Sequence, residues 1–206
     1  MKVEWRKQEK EFYIASKKGV LLEIPTYQYL LIAGQGDPNG EGFGQAVQAL
    51  YSFSYGIKMG LKKRTLPEAN DYTVFPLEGI WTTTNARAVT EVLDKNDLQY
   101  QIMIRQPDFV TAAYVAEIRQ EKSDTPLIDQ VQFTTLTDGL AYQMLHIGPY
   151  DEEAATFQKM EANLAKQGLK KRLLAGYHHR EIYLSDPRRT APEKMKTTLR
   201  LFVESQ

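Results

Sequence analysis

The sequence contains no cysteine, no long hydrophobic run and no net charge, and each absence removes a class of function. Without cysteine, disulfide scaffolds, thiolate metal sites and cysteine nucleophiles are excluded. Lys plus Arg number 26 and Asp plus Glu number 26, so no excess of positive charge favours a nucleic-acid partner. The longest apolar runs are about as short as Leu30–Ala33, far below the roughly 20 residues of a membrane span. We therefore expect a soluble, cytoplasmic protein that binds neither nucleic acid nor membrane.

The composition is that of a folded domain. The chain has 206 residues, of which 42% are hydrophobic and 11% aromatic, enough for one sizeable core. Residues 1–20 carry a high density of charge with scattered aromatics, which indicates a peripheral arm or an amphipathic start. Residues 21–206 make up the predicted domain.

Hydrophobic periodicity predicts the order of helices and strands. We expect helices at about 41–64, 110–121 and 151–167, and strands at 27–34, 72–83, 98–105, 131–137, 140–147, 178–184 and 196–203. The strands at 131–137 and 140–147 are predicted to flank a turn at Thr137–Gly139.

The two halves of the chain resemble each other in spacing. In each half a strand ends in glycine, a Phe follows nine residues later and a Leu seven residues after that: Gly34, Phe43 and Leu50, then Gly148, Phe157 and Leu164. This repeat predicts an α+β fold of two strand-helix-strand-strand modules, at about 21–108 and 128–206. We expect helices on one face of an antiparallel sheet and a ligand groove on the other.

Strand alternation selects the side chains of that open face. Ile182 and Leu184 are expected under the helices, which directs His179, Glu181 and Tyr183 the other way. Phe202 is expected beside them with Thr198 and Arg200, and Tyr142, Met144 and His146 form a further face. Glu181 is either merely solvated or paired with Arg200, or it is buried among aromatic rings, where desolvation would raise its pKa.

Other aromatic residues are candidates for the walls of the groove. Trp81 is one of two tryptophans, and a lone Trp is more often a core residue than a site residue. Tyr55 lies four residues after Tyr51 on the flank of the first long helix, where packing is again the commoner role. Tyr100 belongs to the alternating strand at 98–105.

Metal and nucleotide sites lack the spacing they need. His179 and Glu181 could form half of a metal site, but no third potential ligand occurs at a sequence spacing typical of metal sites. Gly40, Gly42 and Gly44 alternate without the Lys-Ser/Thr of a phosphate loop, and no serine has a nucleophile-elbow context. We predict no metal and no cofactor.

Four motifs resemble one known family. They are PLEGIW at 76–81, HIGPYDEE at 146–153, HHREIYLSDPRRT at 178–190 and KMKTTLR at 194–200. From about residue 20 to the end, the chain resembles the GyrI-like small-molecule-binding family. The EIYLSDP and PLEGIW runs resemble its stand-alone, single-domain branch in particular. The chain departs from the pattern of this branch at Thr82, where close relatives are expected to carry another aromatic residue after Trp81. A slightly smaller cage of aromatic side chains around the ligand is therefore expected.

The resemblance implies a duplicated fold with a groove between the modules. In related multidrug-sensing activators a carboxylate in an aromatic pocket receives lipophilic cations, and Glu181 resembles that carboxylate. The chain carries no DNA-binding motif, so the activator role does not transfer directly. Inhibition of gyrase, which the family name implies, rests on analogy alone.

Two functions are therefore expected from the resemblance. The first is hydrolysis of the cyclopropane ring of electrophilic aromatic DNA-alkylating products of the yatakemycin type, which would protect the cell. Glu181 and Tyr183 would be catalytic, and the expected ligand-binding residues are Trp81, Tyr55, Tyr100, Tyr142, His146 and Phe202. The alternative is a non-catalytic binder or sensor of lipophilic, often cationic, molecules. In both cases the partner is a hydrophobic small molecule; the sequence does not fix the oligomeric state.

Overall fold

The protein is a strand-rich α+β chain, described here from a computed structural model that covers residues 2–63, 71–83 and 94–206. Its helices are α1 (Trp5–Gln8), α2 (Lys10–Tyr13), α3 (Glu41–Lys63), α4 (Ala112–Glu121) and α5 (Glu153–Lys166), with 3-10 turns at Lys95–Asp97, Ile128–Gln130, Tyr150–Glu152 and Pro192–Lys194. Its strands are β1 (Val20–Gln35), β2 (Leu77–Thr83), β3 (Leu98–Gln106), β4 (Gln132–Ile147), β5 (Leu169–Lys171), β6 (His179–Tyr183) and β7 (Lys196–Ser205). Arg64, the expected last residue of α3, falls outside these ranges.

Six antiparallel strands close into a ring. Their order is β4-β1-β3-β2-β6-β7, and β7 pairs back to β4, while β5 extends the end of β7. Closure pairs both edges of a sheet and so removes the free edges that promote aggregation. The predicted α+β class is confirmed.

The duplication predicted from spacing is confirmed in the topology. The first module runs β1, α3, β2, β3, and the second runs β4, α5, β6, β7. In each module the third strand pairs between the first and second, as β1-β3-β2 and β4-β7-β6. The modules meet at two junctions, where β2 pairs with β6 and β1 with β4.

Both long helices pack on the outside of the ring. In α3, Leu50, Phe53 and Ile57 are fully buried in a cluster that also contains Ile102 and Ile104 of β3. The matching cluster of α5 contains the side chains Phe157, Met160, Leu164, Met144, Leu199 and Leu201. Since α3 covers β1 and β3 and α5 covers β4 and β7, the β2–β6 junction lies between the two helices.

The inside of the ring combines apolar side chains with a buried charge network. Asp138 is bound by Arg180 Nη2 at 2.6 Å and by Arg200 Nη1 at 2.8 Å, and Arg180 also contacts Glu78 Oε2 at 3.1 Å. Burial alone would raise the pKa of Asp138, but the two guanidinium groups outweigh it and lower the pKa. For Glu78, burial prevails and raises the pKa despite Arg180. Charges buried without partners are costly, so these residues are mutually dependent.

The N-terminal segment packs against the ring. Tyr13 is 2% exposed, and its carbonyl accepts a hydrogen bond from Thr198 Oγ1 at 2.7 Å. Glu9 forms an ion pair with Arg105 Nη1 at 2.7 Å, and Trp5 Nε1 donates to the carbonyl of Val74. Because Thr198 and Arg105 face the inside of the ring, the segment covers one of its openings, and residues 5–13 are not peripheral.

One predicted turn is absent. Residues 132–147 form one continuous strand, although a turn at Thr137–Gly139 was expected between two strands. β1 is long enough to pair on both sides of this point, with Thr26 opposite Thr137 and Ile24 opposite Gly139. Gly139 takes a positive φ of 66°, which glycine tolerates, so the strand continues through this position.

None of the described helices is both long and apolar enough to cross a bilayer.

If the N-terminal segment is part of the core, Tyr13→Ala should lower the free energy of unfolding by about 3–5 kcal/mol, as aromatic truncations in cores do. Lys10→Ala, on the exposed side of the same short helix, should change it by less than about 0.5 kcal/mol. Urea denaturation followed by circular dichroism measures both. A loss in Tyr13→Ala as small as that in Lys10→Ala would contradict this packing.

Candidate functional site

The candidate site lies on the outer surface of the β2–β6 junction, in a groove between α3 and α5. There Gly79 pairs with Glu181, and Trp81 pairs with His179. Antiparallel partners point to the same side of a sheet, so the side chains of both strands enter the same groove. The junction thus brings residues about 100 positions apart in the chain into contact.

Glu181 is the central polar group of the groove. Its side chain is 12% exposed, and Oε2 accepts a hydrogen bond from the Tyr183 hydroxyl at 2.8 Å. His179 Nε2 lies 2.9 Å from Oε1, and it donates to Oε1 when Glu181 is ionised, because an ionised carboxylate can only accept. Both oxygens are therefore oriented by donors on the same strand. As the alternation predicts, these three side chains share one face.

That face differs from the expected one. Glu181 pairs with Leu199, and His179 pairs with Leu201, both of which pack under α5. The ring of His179 also lies 4.6 Å from that of Phe157 on α5. Glu181 therefore points to the helix-bearing outside of the ring. The face that the helices do not cover is the closed interior, so an open face cannot exist there.

Glu153, in the first turn of α5, is a second acid in the groove that the sequence analysis did not select. It is 6% exposed, and its Oε1 has no hydrogen-bond partner among the described residues. Burial, followed by the negative charge of Glu181, raises the pKa of Glu153 well above its usual value. The raised pKa favours the protonated form of Glu153. Two neighbouring buried carboxyls, one of them with a raised pKa, are typical of functional sites.

A signal for Glu153 was present in the sequence. It lies four residues before Phe157 and seven before Met160, on the buried stripe of α5. An acid on an apolar stripe is unusual. A carboxylate in the first turn of a helix is common because it interacts favourably with the helix dipole. This role alone accounts for an acid at position 153, so Glu153 was not selected as a site residue.

Aromatic rings form the wall on the side of α3. Phe43 stacks on Trp81 with 6.0 Å between ring centroids, and Tyr100 lies 5.2 Å from Trp81 and 5.1 Å from Phe43. Trp81 Nε1 donates to the Tyr183 hydroxyl at 3.1 Å. The wall and the carboxylate are thus connected by hydrogen bonds from Trp81 through Tyr183 to Glu181.

Two glycines allow these rings to lie flat on the sheet. A methyl carbon at Gly79 would stand 2.7 Å from Trp81 Nε1, and one at Gly34 would stand 2.6 Å from the ring of Tyr100. Both distances are shorter than van der Waals contact. A larger residue at either position would displace the ring into the groove.

Tyr150 contributes to the wall on the side of α5. Its ring packs edge-on against Tyr183 with 5.6 Å between centroids. Burial and the charges of Glu153 and Glu181 raise the pKa of Tyr150 to about 12. It is therefore a neutral hydroxyl-bearing ring at neutral pH.

The structure brings together four of the predicted site residues, namely Trp81, Tyr100, Glu181 and Tyr183, and places four elsewhere. Tyr142 and His146 lie beneath α5, where Tyr142 accepts from Asn163 and His146 Nδ1 contacts Thr156 Oγ1 at 2.9 Å. Phe202 is fully buried inside the ring, and Tyr55 lies on the exposed flank of α3. The closed sheet keeps these four residues away from Glu181. The pattern of residues along the sequence does not show that the sheet closes.

Arg200, the expected alternative partner of Glu181, also lies inside the ring. Its guanidinium binds Asp138 and Gln143. The two residues occupy opposite faces of the same wall, so Glu181 is neither paired with Arg200 nor simply solvated.

No group of three or more metal-binding side chains occurs among residues 2–63, 71–83 and 94–206. The nearest arrangement, His179 with Glu181, is a hydrogen-bonded pair.

Comparison with known proteins identifies the family. The model of the GyrI-like small-molecule-binding domain matches residues 20–203. The chain belongs to this family. An uncharacterised conserved protein from Listeria innocua is 36% identical with a TM-score of 0.87, over 98% of this chain and 100% of the other.

Two further solved structures are similar to this chain, at high and at low sequence identity. A structure described as a hydrolase from Listeria innocua is 36% identical with a TM-score of 0.86, again over 98% of this chain and 100% of that one. The C-terminal domain of EcmrR is 12% identical with a TM-score of 0.52, over 91% and 98% of the two chains, and shares the fold. A search of curated proteins returned no match.

The raised pKa of Glu153 predicts a dependence of stability on pH. Because its pKa is raised in the folded state, folding favours the protonated form, and stability falls as pH rises above the unfolded value near 4.5. Glu153→Gln removes this loss. The difference in free energy of unfolding between Glu153→Gln and wild type should therefore increase from about pH 4 to pH 8. Within the titration window it should increase by up to about 1.4 kcal/mol per pH unit.

Urea denaturation at both pH values tests this, with Glu152→Gln, the exposed neighbour, as the matched control. A difference between Glu153→Gln and wild type that is the same at both pH values would show that Glu153 is ionised in the folded protein.

Proposed function

We propose that this GyrI-like protein binds flat, hydrophobic aromatic molecules in the groove and hydrolyses the cyclopropane ring of electrophilic DNA-alkylating products of the yatakemycin type, so protecting the cell. The observation that carries the proposal is the pair of buried acids, Glu153 and Glu181, which lie together beside aromatic rings. A structure described as a hydrolase, at 36% identity over nearly the whole chain, gives further support.

The aromatic walls would bind the ligand. On one side the half-buried Phe43 packs on Trp81 and Tyr100, which are each 5% exposed and form the base of the wall. On the other side lies Tyr150, which is 38% exposed and packs edge-on against Tyr183. Each aromatic pair adds about 0.5–1.5 kcal/mol beyond the burial of area. The apolar walls also exclude water, which strengthens the electrostatic effect of the carboxylate.

Glu181 would act as general base in the ring opening. It removes a proton from water while the water oxygen bonds to the methylene carbon of the cyclopropane. The carbon–carbon bond of the ring breaks, and its electron pair passes through the conjugated system to the ketone oxygen, which becomes a phenolate. Return of the proton to that oxygen gives a phenol with a new alcohol, so substrate plus water balances product.

Tyr183 would stabilise the developing oxyanion. Burial and the charges of Glu181 and Glu153 raise the pKa of Tyr183 well above its usual value, so the hydroxyl remains a donor. In the free protein it donates to Glu181. Once Glu181 has taken the proton of water, that acceptor is neutral, and the Tyr183 hydroxyl can turn to the phenolate.

Glu153 would act as a positioning residue. Its raised pKa favours a proton on Glu153, which would leave the negative charge of the pair on Glu181, where His179 and Tyr183 orient the carboxyl group. Two neighbouring ionised carboxyls would repel each other.

If Glu181 is the base, Glu181→Gln should lower the rate of hydrolysis of a cyclopropanoid alkylating agent by about 10²–10⁴-fold and largely preserve binding. The ring-opened product, quantified by mass spectrometry against a sample without protein, gives the rate. Glu121→Gln, an exposed acid at the end of α4, is the control and should retain the wild-type rate. Equal rates for Glu181→Gln and wild type would remove Glu181 from the mechanism.

A second candidate function is binding or sensing of lipophilic cations without turnover. It is favoured by the place of the Glu181 carboxyl group, which is 12% exposed beside aromatic rings, the environment that desolvates and holds an organic cation. This function requires the charge of Glu181 and not its basicity.

For this alternative, benzyltriphenylphosphonium should bind wild type and bind Glu181→Gln about tenfold or more weakly. Quenching of Trp81 fluorescence in a Trp5→Phe background measures the affinity, since Trp81 is then the single tryptophan. Triphenylmethane, a neutral analogue of the probe, should show no such difference. Equal affinity of both proteins for the cation would count against this function.

A further inference from the structure

The N-terminal segment stands outside the duplicated fold. Residues 3–15, which we call the strap, precede β1 and also precede residue 20, where the match to the GyrI-like domain begins. The strap nevertheless contacts both modules across one end of the ring. In the first module Val3 forms a parallel bridge with Tyr72, and Trp5 Nε1 donates to the carbonyl of Val74 at 3.1 Å. In the second module the strap contacts β4 and β7.

Buried side chains of the second module bind the peptide backbone of the strap. Three consecutive carbonyls of the strap each accept a hydrogen bond from one side chain inside the ring: Glu11 from Gln143 Nε2 at 2.6 Å, Phe12 from Arg200 Nη2 at 2.5 Å and Tyr13 from Thr198 Oγ1 at 2.7 Å. The three donor residues are each at most 2% exposed. A buried donor that loses its acceptor is costly, so the docking of the strap and the order of these strands depend on each other.

Thr198 makes two hydrogen bonds that tie the strap to β7. Its hydroxyl donates to the carbonyl of Tyr13 and accepts from the backbone N–H of Ala15 at 3.2 Å. Thr198 lies on the inside of the ring, where it pairs with Ile182 of β6. One hydroxyl group therefore satisfies both an acceptor and a donor of the strap.

The neighbours of Thr198 on β7 lie on the side of the groove. Side chains alternate along a strand, so Thr197 and Leu199 lie on the outside of the ring. Thr197 pairs with Tyr183, and Leu199 pairs with Glu181. The residue that holds the strap is therefore one position along the backbone from the residues that pair with the two central polar groups of the groove.

We propose that the strap is a positioning element of the groove, and that docking of the strap is coupled to binding of a ligand at Glu181. With the strap docked, β7 is held against β6, which fixes Tyr183 and Glu181 in place. With the strap released, Thr198 loses both partners, and the pairing of β7 with β6 loosens. A ligand that contacts Glu181 and Tyr183 binds the docked state more tightly, and by linkage it also stabilises docking. The inference rests on the proposed function only for the place of the ligand.

Hydrogen exchange in the absence of ligand tests whether the strap positions β6. Thr198→Val keeps the shape of the side chain and removes both hydrogen bonds, whereas Thr198→Ser keeps the hydroxyl. In Thr198→Val, mass spectrometry should detect exchange that is about tenfold or more faster in residues 5–15 and in residues 179–183. Thr198→Ser should exchange as wild type does. Residues 112–121, which form α4 and pack on α3, are the reference and should not change.

Three results would overturn the positioning role: faster exchange in the strap alone, equally faster exchange in α4, and unchanged exchange in the strap. If Thr198→Val does not fold, Glu9→Gln is compared with wild type over the same three peptides. Glu9→Gln weakens the ion pair of the strap with Arg105, at 2.7 Å, and Glu11→Gln, whose side chain is exposed, is its matched control.

Benzyltriphenylphosphonium tests the coupling to a ligand. At saturating concentration it should slow exchange in residues 5–15 of wild type about threefold or more, although the strap lies at the other face of the sheet from Glu181. It should also bind Thr198→Val about threefold or more weakly than it binds wild type or Thr198→Ser. Binding of the cation without any change in the strap would reject the coupling. If the cation does not bind wild type, cation binding fails as a function, and exchange in the ligand-free variants alone decides whether the strap and the groove are coupled.

Discussion

Backbone pairing between β2 and β6 is the interaction on which the candidate site depends. On the outside it sets Gly79 against Glu181 and Trp81 against His179, which joins the aromatic wall to the acid. On the inside the same two strands carry Glu78 and Arg180, which are ion-paired with each other. A change that loosened this junction would disturb the groove and the buried charges together, so the stability of the ring and the geometry of the site are coupled.

The fold could be predicted from the sequence because its signals are local or repeated. The Gly-Phe-Leu spacing identified the two modules, and alternation in residues 178–184 placed His179, Glu181 and Tyr183 on one face. The closure of the sheet could not be predicted in this way, since it depends on pairing between β4 and β7 and between β2 and β6, which are distant in sequence. Without closure, Phe202 was assigned to the ligand face, although it lies inside the ring.

The sequence predicted only part of the candidate site, because alternation along a strand is a local signal and the contacts between elements are not. Trp81, Tyr100, Glu181 and Tyr183 come together because each lies on a strand whose alternation is clear. Tyr142 and His146 also follow a clear alternation, but α5 covers them. Alternation shows which face of a strand a side chain lies on, and it does not show which element packs on that face. Glu153 shows the reverse case, because its place on the buried stripe of α5 could be read from spacing, whereas its contact with Glu181 needs the tertiary structure.

The duplicated topology also has an evolutionary consequence. A pair of identical half-length chains arranged as the two modules would present the same residues on both sides of the β2–β6 junction. In this chain the sides differ: the first module supplies Gly79 and the aromatic surface of Trp81, and the second supplies His179 and Glu181. Covalent linkage of two copies frees each to diverge, and the divergence has placed an aromatic surface on one side of the junction and acidic and imidazole groups on the other.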